Sequence, residues 1–350
     1  MTIEELFKLT IEKGASDLHI VPGYNPSLRV NGELYALKAY PVLDGTMTQE
    51  MLMHLLIDEK KEMLITNKEV DLGYNFENHR FRINLYYIRG MLAGSFRLIP
   101  TKISPLEALG LPPLLYNFTE MKQGFVLVTG PTGEGKSTTI AAIINEINMR
   151  YARHILTIED PIEYLYPQAK SIISQREIGQ DTHSWGVALK SALREDPDIV
   201  VIGEMRDYDT IQAALTIAET GHLVFSTLHT NSVPQTIDRI VDVFPPRQQS
   251  QVRLQLASTL KAVVSQRLVP TIDKKTRIPA VEILIGNQAV SSVIRDNKTH
   301  LLDNIIETSS DQGMIILEKY LANLYFEGKI SRETALFHCI RPAQMQKLIK

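Results

Sequence analysis

Hydrophobic residues follow two patterns along the chain, and the clearer one begins near Gln123. Short apolar runs, rich in β-branched residues, alternate there with segments whose apolar residues recur at helical spacing. The runs lie at Phe125–Thr129, His154–Glu159, Ile199–Gly203 and Leu223–Thr227. Continuous apolar runs of this length predict strands buried on both faces, as in a parallel sheet covered by helices. From Arg247 onward the pattern predicts mainly helix, with one more strand at Ala280–Ile285.

The first hundred residues show shorter, mixed elements and predict a separate α+β domain. Helices are predicted at Thr2–Lys13 and Met47–Asn67, and strands at Asp17–Val21, Ser27–Val30, Glu33–Leu37, Phe81–Tyr87 and Leu92–Ile99. Asn31-Gly32, between two strand-like runs, is a strong hairpin signal. Prolines mark turns between Pro100 and Pro113, where a linker is expected. The predicted domains are therefore residues 1–100 and 119–350, joined by a linker at 101–118.

A phosphate-binding loop is the most specific chemical signal in the chain. The motif G-x-x-x-x-G-K-[ST] is met in full after a strand-like run and before a helix-like one. Its backbone N–H groups and the following helix favour a polyphosphate. Lys136 is expected to reach the β- and γ-phosphates of ATP, and Ser137 to ligate Mg²⁺. The predicted nucleotide-binding residues are Gly130, Pro131, Thr132, Gly133, Glu134, Gly135, Lys136, Ser137 and Thr138.

Acidic residues follow two of the predicted core strands. Glu159-Asp160-Pro161-Ile162-Glu163 ends one strand, and Glu204 ends another. A carboxylate at such a place can hold the metal ion or activate the attacking water. A single acidic residue after a strand is more often a helix cap. Two such sites beside a phosphate loop favour catalysis instead.

Histidines and arginines complete the candidate chemistry. His229 follows the fourth strand and could sense the γ-phosphate, whereas for His222 a structural role is an equally good interpretation. Phosphoryl transfer is catalysed largely by positive charge placed against the transferring group. Spacing alone does not select among the candidate arginines, which are Arg80, Arg82 and Arg97 in the first domain and Arg194, Arg206 and Arg239 in the second.

Composition narrows the class of protein. The 350 residues carry 37 basic and 40 acidic side chains, for a net charge of −3, so the overall balance does not favour a nucleic-acid binder. A local basic patch remains compatible with that balance. Cys339 is the only cysteine, which excludes an internal disulfide and a cysteine zinc cluster. The acidic N-terminus and the lack of a long apolar run predict a cytoplasmic protein that meets a membrane only through partners.

The ordered motifs resemble those of the type II/type IV pilus secretion ATPase superfamily, and within it the type IV pilus retraction (twitching motility) ATPases. Four segments are similar to the Walker A, Asp, Walker B and His boxes of that family, and two more match near the start. They are 130–139, 156–164, 202–207, 220–230, 15–19 and 28–32. The resemblance implies an α/β chain in which an N-terminal PAS-like α+β domain precedes a RecA-like P-loop ATPase domain with a helical C-terminal part.

The same resemblance implies roles for individual residues. Lys136 and Ser137 would bind phosphate and Mg²⁺, with Glu204 as the Walker B carboxylate and metal ligand. Glu163 would polarise the attacking water. The catalytic set would be completed by His222, His229, Arg80, Arg82 and Arg97. The implied assembly is a homohexamer at the cytoplasmic face of the inner membrane, which contacts a platform protein and powers pilus retraction.

Two features choose among the branches of this family. Extension and type II secretion ATPases carry a large extra N-terminal region and usually a four-cysteine zinc site, whereas here the matched boxes start almost at Met1 and Cys339 is the only cysteine, which favours the retraction branch. Two departures from the retraction pattern remain. The retraction branch has a C-terminal signature resembling Ala-Ile-Arg-Asn-Leu-Ile-Arg-Glu, whose first arginine is replaced here by Ser291. Glu134 stands where a small serine is usual, and its side chain is expected to point to solvent.

Two other classes of function stay open on the sequence. A regulatory module could bind a nucleotide and change partners without turnover, although the pair Glu163 and Glu204 favours hydrolysis. A nucleic-acid translocase on the same core is disfavoured by the net charge and by the absence of a basic and aromatic stripe.

Overall fold

The computed structural model describes residues 1–30, 32–100 and 102–350. Asn31, in the predicted hairpin and in the matched segment 28–32, lies outside the described residues, and so does Thr101, the first residue of the predicted linker. Contacts divide the chain into two compact units. The first unit comprises Met1–Lys102 with the short segments Pro161–Leu165 and Gly179–Asp181, and the second unit comprises Ile103–Asp160, Tyr166–Ile178 and Thr182–Lys350.

The first unit is an antiparallel sheet with three helices. The strands are β1 (Asp17–Ile20), β2 (Ser27–Val30), β3 (Glu33–Ala36), β4 (Glu69–Phe76), β5 (His79–Ile88) and β6 (Met91–Ile99). Their order in the sheet is β3-β2-β1-β6-β5-β4. The helices are α1 (Ile3–Glu12), α2 (Gly45–Met53) and α3 (Asp58–Asn67).

Local sequence signals explain where α1 begins and what it covers. The Thr2 hydroxyl accepts from the backbone N–H of Glu5, and the Glu5 carboxylate accepts from the N–H of Thr2, which together form a capping box. Phe7 on the apolar face stacks on Phe81 of β5 at 4.3 Å between ring centroids. This contact joins the helix to the sheet core.

The structure differs from the sequence prediction at two places in this unit. The helix predicted at Met47–Asn67 is two helices, because the Asp44 side chain caps α2 and a second helix starts only after Ile57. Strand β4 was not predicted. Its alternation of buried and exposed residues is incomplete, so its pairing with β5 defines it.

The second unit is a seven-stranded sheet covered by helices on both faces. Its strands are β7 (Gly124–Thr129), β8 (His154–Glu159), β9 (Ile172–Glu177), β10 (Ile199–Ile202), β11 (Leu223–Leu228), β12 (Leu260–Pro270) and β13 (Arg277–Ile285). Their order is β13-β12-β7-β11-β10-β8-β9. All neighbours pair in parallel except β12 and β13. Every residue of β7, β10 and β11 is buried, as the apolar runs predicted.

Ten helices of the second unit lie in the described residues. They are α4 (Lys136–Arg150), α5 (Trp185–Ala192), α6 (Tyr208–Glu219), α7 (Val233–Asp242), α8 (Pro246–Thr259), α9 (Gln288–Arg295), α10 (Leu302–Thr308), α11 (Leu317–Phe326), α12 (Arg332–His338) and α13 (Pro342–Leu348). Short 3-10 turns add Leu106–Leu109, Pro113–Glu120, Thr299–Leu301 and Ser310–Gln312. No helix in the described ranges combines the length and the apolar character that a bilayer crossing needs.

The overall α/β class predicted from the sequence is confirmed. Two details differ: β9 and β12 were not predicted, although four of the five strands that were predicted begin and end within a residue of the observed bounds. Residues 103–118, predicted as linker, belong to the second unit and bury Leu106 and Leu115.

The C-terminal helices are tied to the sheet by a buried ionic cluster around Arg341. Its guanidinium contacts Glu318 at 2.7 Å and Glu282 at 3.3 Å, and it also pairs with Asp303. The Glu282 and Glu318 side chains are almost entirely buried. Burial raises the pKa of Glu282, against the opposing effects of the Val233 N–H and Arg341. One arginine therefore compensates three carboxylates from β13, α10 and α11.

Arg341→Met is expected to lower the free energy of unfolding by about 3–5 kcal/mol, since it leaves buried carboxylates without their cation. Because the pKa of Glu282 is raised, the folded protein binds a proton on this carboxyl group more tightly than the unfolded chain does. The contribution of Glu282 to the free energy of unfolding is therefore greatest at low pH and is lost as the pH rises through its folded-state pKa. The loss of unfolding free energy caused by Arg341→Met should accordingly become smaller at acidic pH. Urea unfolding at two pH values measures the free energy of unfolding, with the exposed Arg332→Met variant as control. An equal loss of unfolding free energy in Arg341→Met and Arg332→Met would contradict the stabilising role of Arg341.

Candidate active site

Parallel strand order brings three predicted site segments to one edge of the second sheet. Strand β11 lies between β7 and β10, with Leu228 opposite Thr129 and Ser226 opposite Ile202. The phosphate loop follows β7, His229 follows β11 and Glu204 stands two residues beyond β10. Carboxyl ends of parallel strands meet at one edge, which is where α/β proteins bind ligands. His229 is consequently placed between the loop and the carboxylate.

The phosphate loop has the backbone that its glycines permit. Gly130, Gly133 and Gly135 have φ values of +144°, +83° and +78°, which side chains with a Cβ rarely adopt. A Cβ on Gly130 would also lie 2.3 Å from the Gln266 carbonyl oxygen. Helix α4 starts directly at Lys136, so its N-terminal N–H groups and dipole face the loop.

Lys136 is held within this loop rather than extended into solvent. Its Nζ donates to the carbonyl oxygens of Gly130 and Pro131, both at 2.8 Å, and the residue is 7% exposed. A buried ammonium group bonded to its own loop gives the cradle a fixed positive charge. This arrangement fits a polyphosphate.

His229 connects this lysine to Glu204. Its Nδ1 lies 3.5 Å from Lys136 Nζ and 3.5 Å from the Thr132 hydroxyl, and its Nε2 lies 3.1 Å from Glu204 Oε2. An ammonium group only donates, so we assign Nδ1 as the acceptor and Nε2–H as the donor to the carboxylate. The three residues thereby form one hydrogen-bonded chain across the sheet edge.

Glu204 is further paired with the Arg206 guanidinium, which is exposed. Asp207, in the same matched box, serves a different purpose: its carboxylate accepts from the Thr210 N–H at 2.9 Å and caps α6. That hydrogen bond lowers the pKa of Asp207. Of the two acidic residues in this segment, only Glu204 contacts His229.

The donor set near the loop also fits Mg²⁺. Mg²⁺ in nucleotide sites takes one or two protein oxygens and completes its shell with phosphates and water. Ser137, in the first turn of α4, and Glu204 are such oxygen donors. In the described ranges no three His, Cys, Asp or Glu side chains form a self-sufficient metal cluster. That Ser137 and Glu204 hold the ion jointly with the nucleotide stays a prediction.

Other predicted residues lie elsewhere. His222 precedes β11 and so lies at the opposite sheet edge from His229, about 20 Å away at the rise of a six-residue strand. Its Nδ1 contacts the Thr220 hydroxyl and the Ile217 carbonyl, at 3.0 and 3.2 Å. Within one chain, these contacts match the structural interpretation of His222.

Glu163 and the three arginines of the first domain belong to the first unit. Arg80 is buried and donates to Asn75 Oδ1 at 2.8 Å. Arg82 and Arg97 are exposed partners across β5 and β6, and Arg97 donates to Asp17 at 2.9 Å. Their action at the phosphate loop, like that of Glu163, stays a prediction.

The Glu134 side chain does not point freely into solvent, contrary to the sequence-based expectation. Its carboxylate accepts the backbone N–H of Leu268 on β12. Sequence reasoning also missed Gln266 on the same strand, because β12 itself was not predicted. The available signal was the apolar run Ala262-Val263-Val264, which is of strand type.

Comparison with known proteins is consistent with this geometry. The family described as type II/IV secretion system protein matches residues 2–313. The chain belongs to this family.

Similar members of the secretion family resemble the chain over nearly its full length. The type IV pilus retraction ATPase PilT of Pseudomonas aeruginosa is 42% identical over 336 residues, which are 96% of this chain and 97% of PilT. A twitching motility protein of Neisseria gonorrhoeae is 44% identical, covering 89% and 83%. The crystal structure of the pilus retraction motor PilT with bound ADP superimposes with a TM-score of 0.91 at 43% identity over 99% of each chain. The resemblance to retraction ATPases noted in the sequence is confirmed.

His229→Gln should slow phosphate release from ATP by roughly a hundredfold, because it removes the imidazole that joins Lys136 to Glu204. Steady-state phosphate release measures the effect. His154→Gln is the matched control, since His154 begins β8 at the opposite edge of the sheet. A similar loss in the control, or none in His229→Gln, would show that the link is not part of the chemistry.

Proposed function

We propose that this chain is the ATP-hydrolysing motor of type IV pilus retraction. The observation that carries the proposal is the chain of contacts from Lys136 through His229 to Glu204, in a fold that matches the retraction motor PilT from end to end. A lysine on the phosphates and a carboxylate near the attacking water are the parts that phosphoryl transfer needs. A protein that only binds nucleotide has no use for the second part.

The residues of the site divide the work. The loop 130–138 binds the phosphates of ATP, Lys136 neutralises charge on the transferring group, and Ser137 with Glu204 holds Mg²⁺. When bound, the ion would supply positive charge against the phosphates. His229 keeps the Glu204 carboxylate oriented by its Nε2–H and reports the state of the loop through Nδ1. Glu163 polarises water as the second carboxylate.

The proposed hexamer rests on positive charge that the first unit of one subunit supplies to the nucleotide site of its neighbour. The residues proposed to supply charge from the first unit are Arg80, Arg82 and Arg97, of which Arg82 and Arg97 expose their side chains on adjacent strands. A ring in which one subunit completes the site of its neighbour couples hydrolysis to rotation of one unit against another. The proposed assembly is a homohexamer that acts on the platform protein of a pilus machine, at the cytoplasmic face of the inner membrane.

The departure at Ser291 has a local explanation. The Ser291 hydroxyl on α9 donates to the Ala257 carbonyl of α8 at 2.7 Å. The position is thus used to join two helices of the C-terminal region. Nothing in this contact touches the phosphate loop, so it does not argue against hydrolysis.

Hydrolysis is tested by phosphate release in Mg·ATP, with the mass of the same samples measured by light scattering. Wild type should release phosphate in a hexameric fraction and stop when EDTA removes the divalent ion. Lys136→Ala should lose roughly a thousandfold in rate, as expected when a buried cation that faces the transferring group is removed. The control is Lys319→Ala, an exposed lysine on α11.

A folded wild-type protein that binds ATP and never releases phosphate would overturn the motor and leave a nucleotide-dependent regulatory switch. Stimulation of hydrolysis by DNA or RNA alone would favour a translocase instead.

Retraction is tested in the cell that encodes this chain. Deleting the gene should leave cells with surface pili that no longer twitch, because pili are still extended but not disassembled. Complementation with wild type should restore movement, whereas Glu204→Gln should not. Cells that lose their pili altogether on deletion would indicate an extension motor and contradict retraction.

A further inference from the structure

Gln266 of β12 contacts the phosphate loop region at three separate places. Its side-chain Nε2 donates to the Glu134 carbonyl at 2.7 Å, in the middle of the loop. Its Oε1 accepts from the Thr139 hydroxyl at 2.8 Å, in the first turns of α4. Its backbone carbonyl closely approaches Gly130 at the start of the loop.

Burial makes these contacts specific rather than incidental. Gln266 is 2% exposed and Thr139 is 1% exposed, so neither side chain can exchange its partner for water without moving. An amide has both donor and acceptor groups, which is what a carbonyl on one side and a hydroxyl on the other require. A buried amide left without one partner would cost free energy, which favours a single position of the loop.

The chain adds a second contact from the loop to the same strand. The Glu134 carboxylate accepts the N–H of Leu268, two residues beyond Gln266. Gly135 also packs here, since a Cβ on it would lie 3.0 Å from Gln266 Nε2 and 3.5 Å from Leu268 Cδ1. The loop is therefore fastened to β12 on one side while Lys136 faces His229 on the other.

We propose that Gln266 is a positioning residue that holds the phosphate loop in its nucleotide-binding conformation, assisted by Glu134. The inference rests on the proposed nucleotide site and goes beyond it, because the Gln266 side chain acts on the loop itself, through its hydrogen bonds to Thr139 and Glu134. A loop already held in its bound conformation loses less entropy when the ligand binds. The carboxylate of Glu134, being used on the outer side of the loop, supports nucleotide binding instead of repelling the phosphates.

The direct test replaces Gln266 by Met, which keeps the volume and removes both polar contacts. The dissociation constant for fluorescent mant-ADP should rise about tenfold, as expected for the loss of two buried hydrogen bonds that hold the site. Ser265→Ala is the control, since Ser265 lies next to Gln266 on the strand and points to its other face. It should bind mant-ADP like wild type. An unchanged constant in a folded Gln266→Met protein would overturn the proposal.

A second pair of variants serves if Gln266→Met does not fold. Thr139→Val removes only the hydroxyl that donates to Gln266, and Thr139→Ser keeps it. The valine variant should bind mant-ADP about threefold more weakly. The serine variant should recover most of that loss at an unchanged melting temperature. Equal dissociation constants for mant-ADP in the two variants would contradict the positioning role of Gln266.

Variants of Glu134 test its role, because the two interpretations of its carboxylate predict opposite changes in mant-ADP affinity. If its carboxylate fastens the loop, Glu134→Ser should weaken mant-ADP binding about threefold, and Glu134→Gln, which keeps an acceptor, should recover it. If the carboxylate instead repels the phosphates, both variants should bind more tightly than wild type. Tighter binding would overturn the role given to Glu134.

Hydrogen exchange separates failure of this inference from failure of the proposed function. In the nucleotide-free protein the amides of the loop between Pro131 and Gly135 should exchange faster in Gln266→Met than in wild type, whether or not ADP binds. A wild-type protein that fails to bind mant-ADP would contradict only the proposed nucleotide site. Equal exchange rates in wild type and Gln266→Met would contradict only the positioning role of Gln266.

Discussion

The parallel pairing of β11 between β7 and β10 is the constraint on which the site depends. Each strand brings one functional segment to the same edge: the phosphate loop after β7, His229 after β11 and Glu204 after β10. Since β11 is the middle strand, its histidine is the one residue of the three that can reach both others. The buried apolar runs that make these strands thus also determine which side chains meet.

The loop is held from the opposite side by β12, an eleven-residue strand that continues the sheet beyond β7. The Gln266 side chain donates to a backbone carbonyl of the loop, and the N–H of Leu268 donates to the Glu134 carboxylate. Farther out in the sheet, β13 carries Glu282, which accepts from the Val233 N–H at the start of α7 and pairs with Arg341. The buried polar side chains of Gln266 and Glu282 therefore each join separate elements of this unit, and each is hydrogen-bonded to partners on those elements.

Local and repetitive signals explain how much the sequence could predict. The glycine spacing, Lys136 and the strand before them are adjacent in the chain, and so the phosphate loop was predicted with its flanks. Glu204 and His229 were predicted because each follows an apolar strand. Gln266 was not, since its function depends on the pairing of β12 with β7, more than a hundred residues earlier. The direction of the Glu134 side chain depends on the same pairing. The ionic cluster around Arg341 depends on contacts among β13, α10 and α11. Such partners are set by tertiary packing, which leaves no periodic pattern.

The central claim is that Lys136, His229 and Glu204 act as one unit. A double-mutant cycle on phosphate release, with His229→Gln, Glu204→Gln and the two combined, measures this most directly. If the residues form one hydrogen-bonded chain, the double variant should be about as slow as the slower single variant, because either change already breaks the chain. Losses that multiply in the double variant would mean that His229 and Glu204 act independently, and would contradict the account.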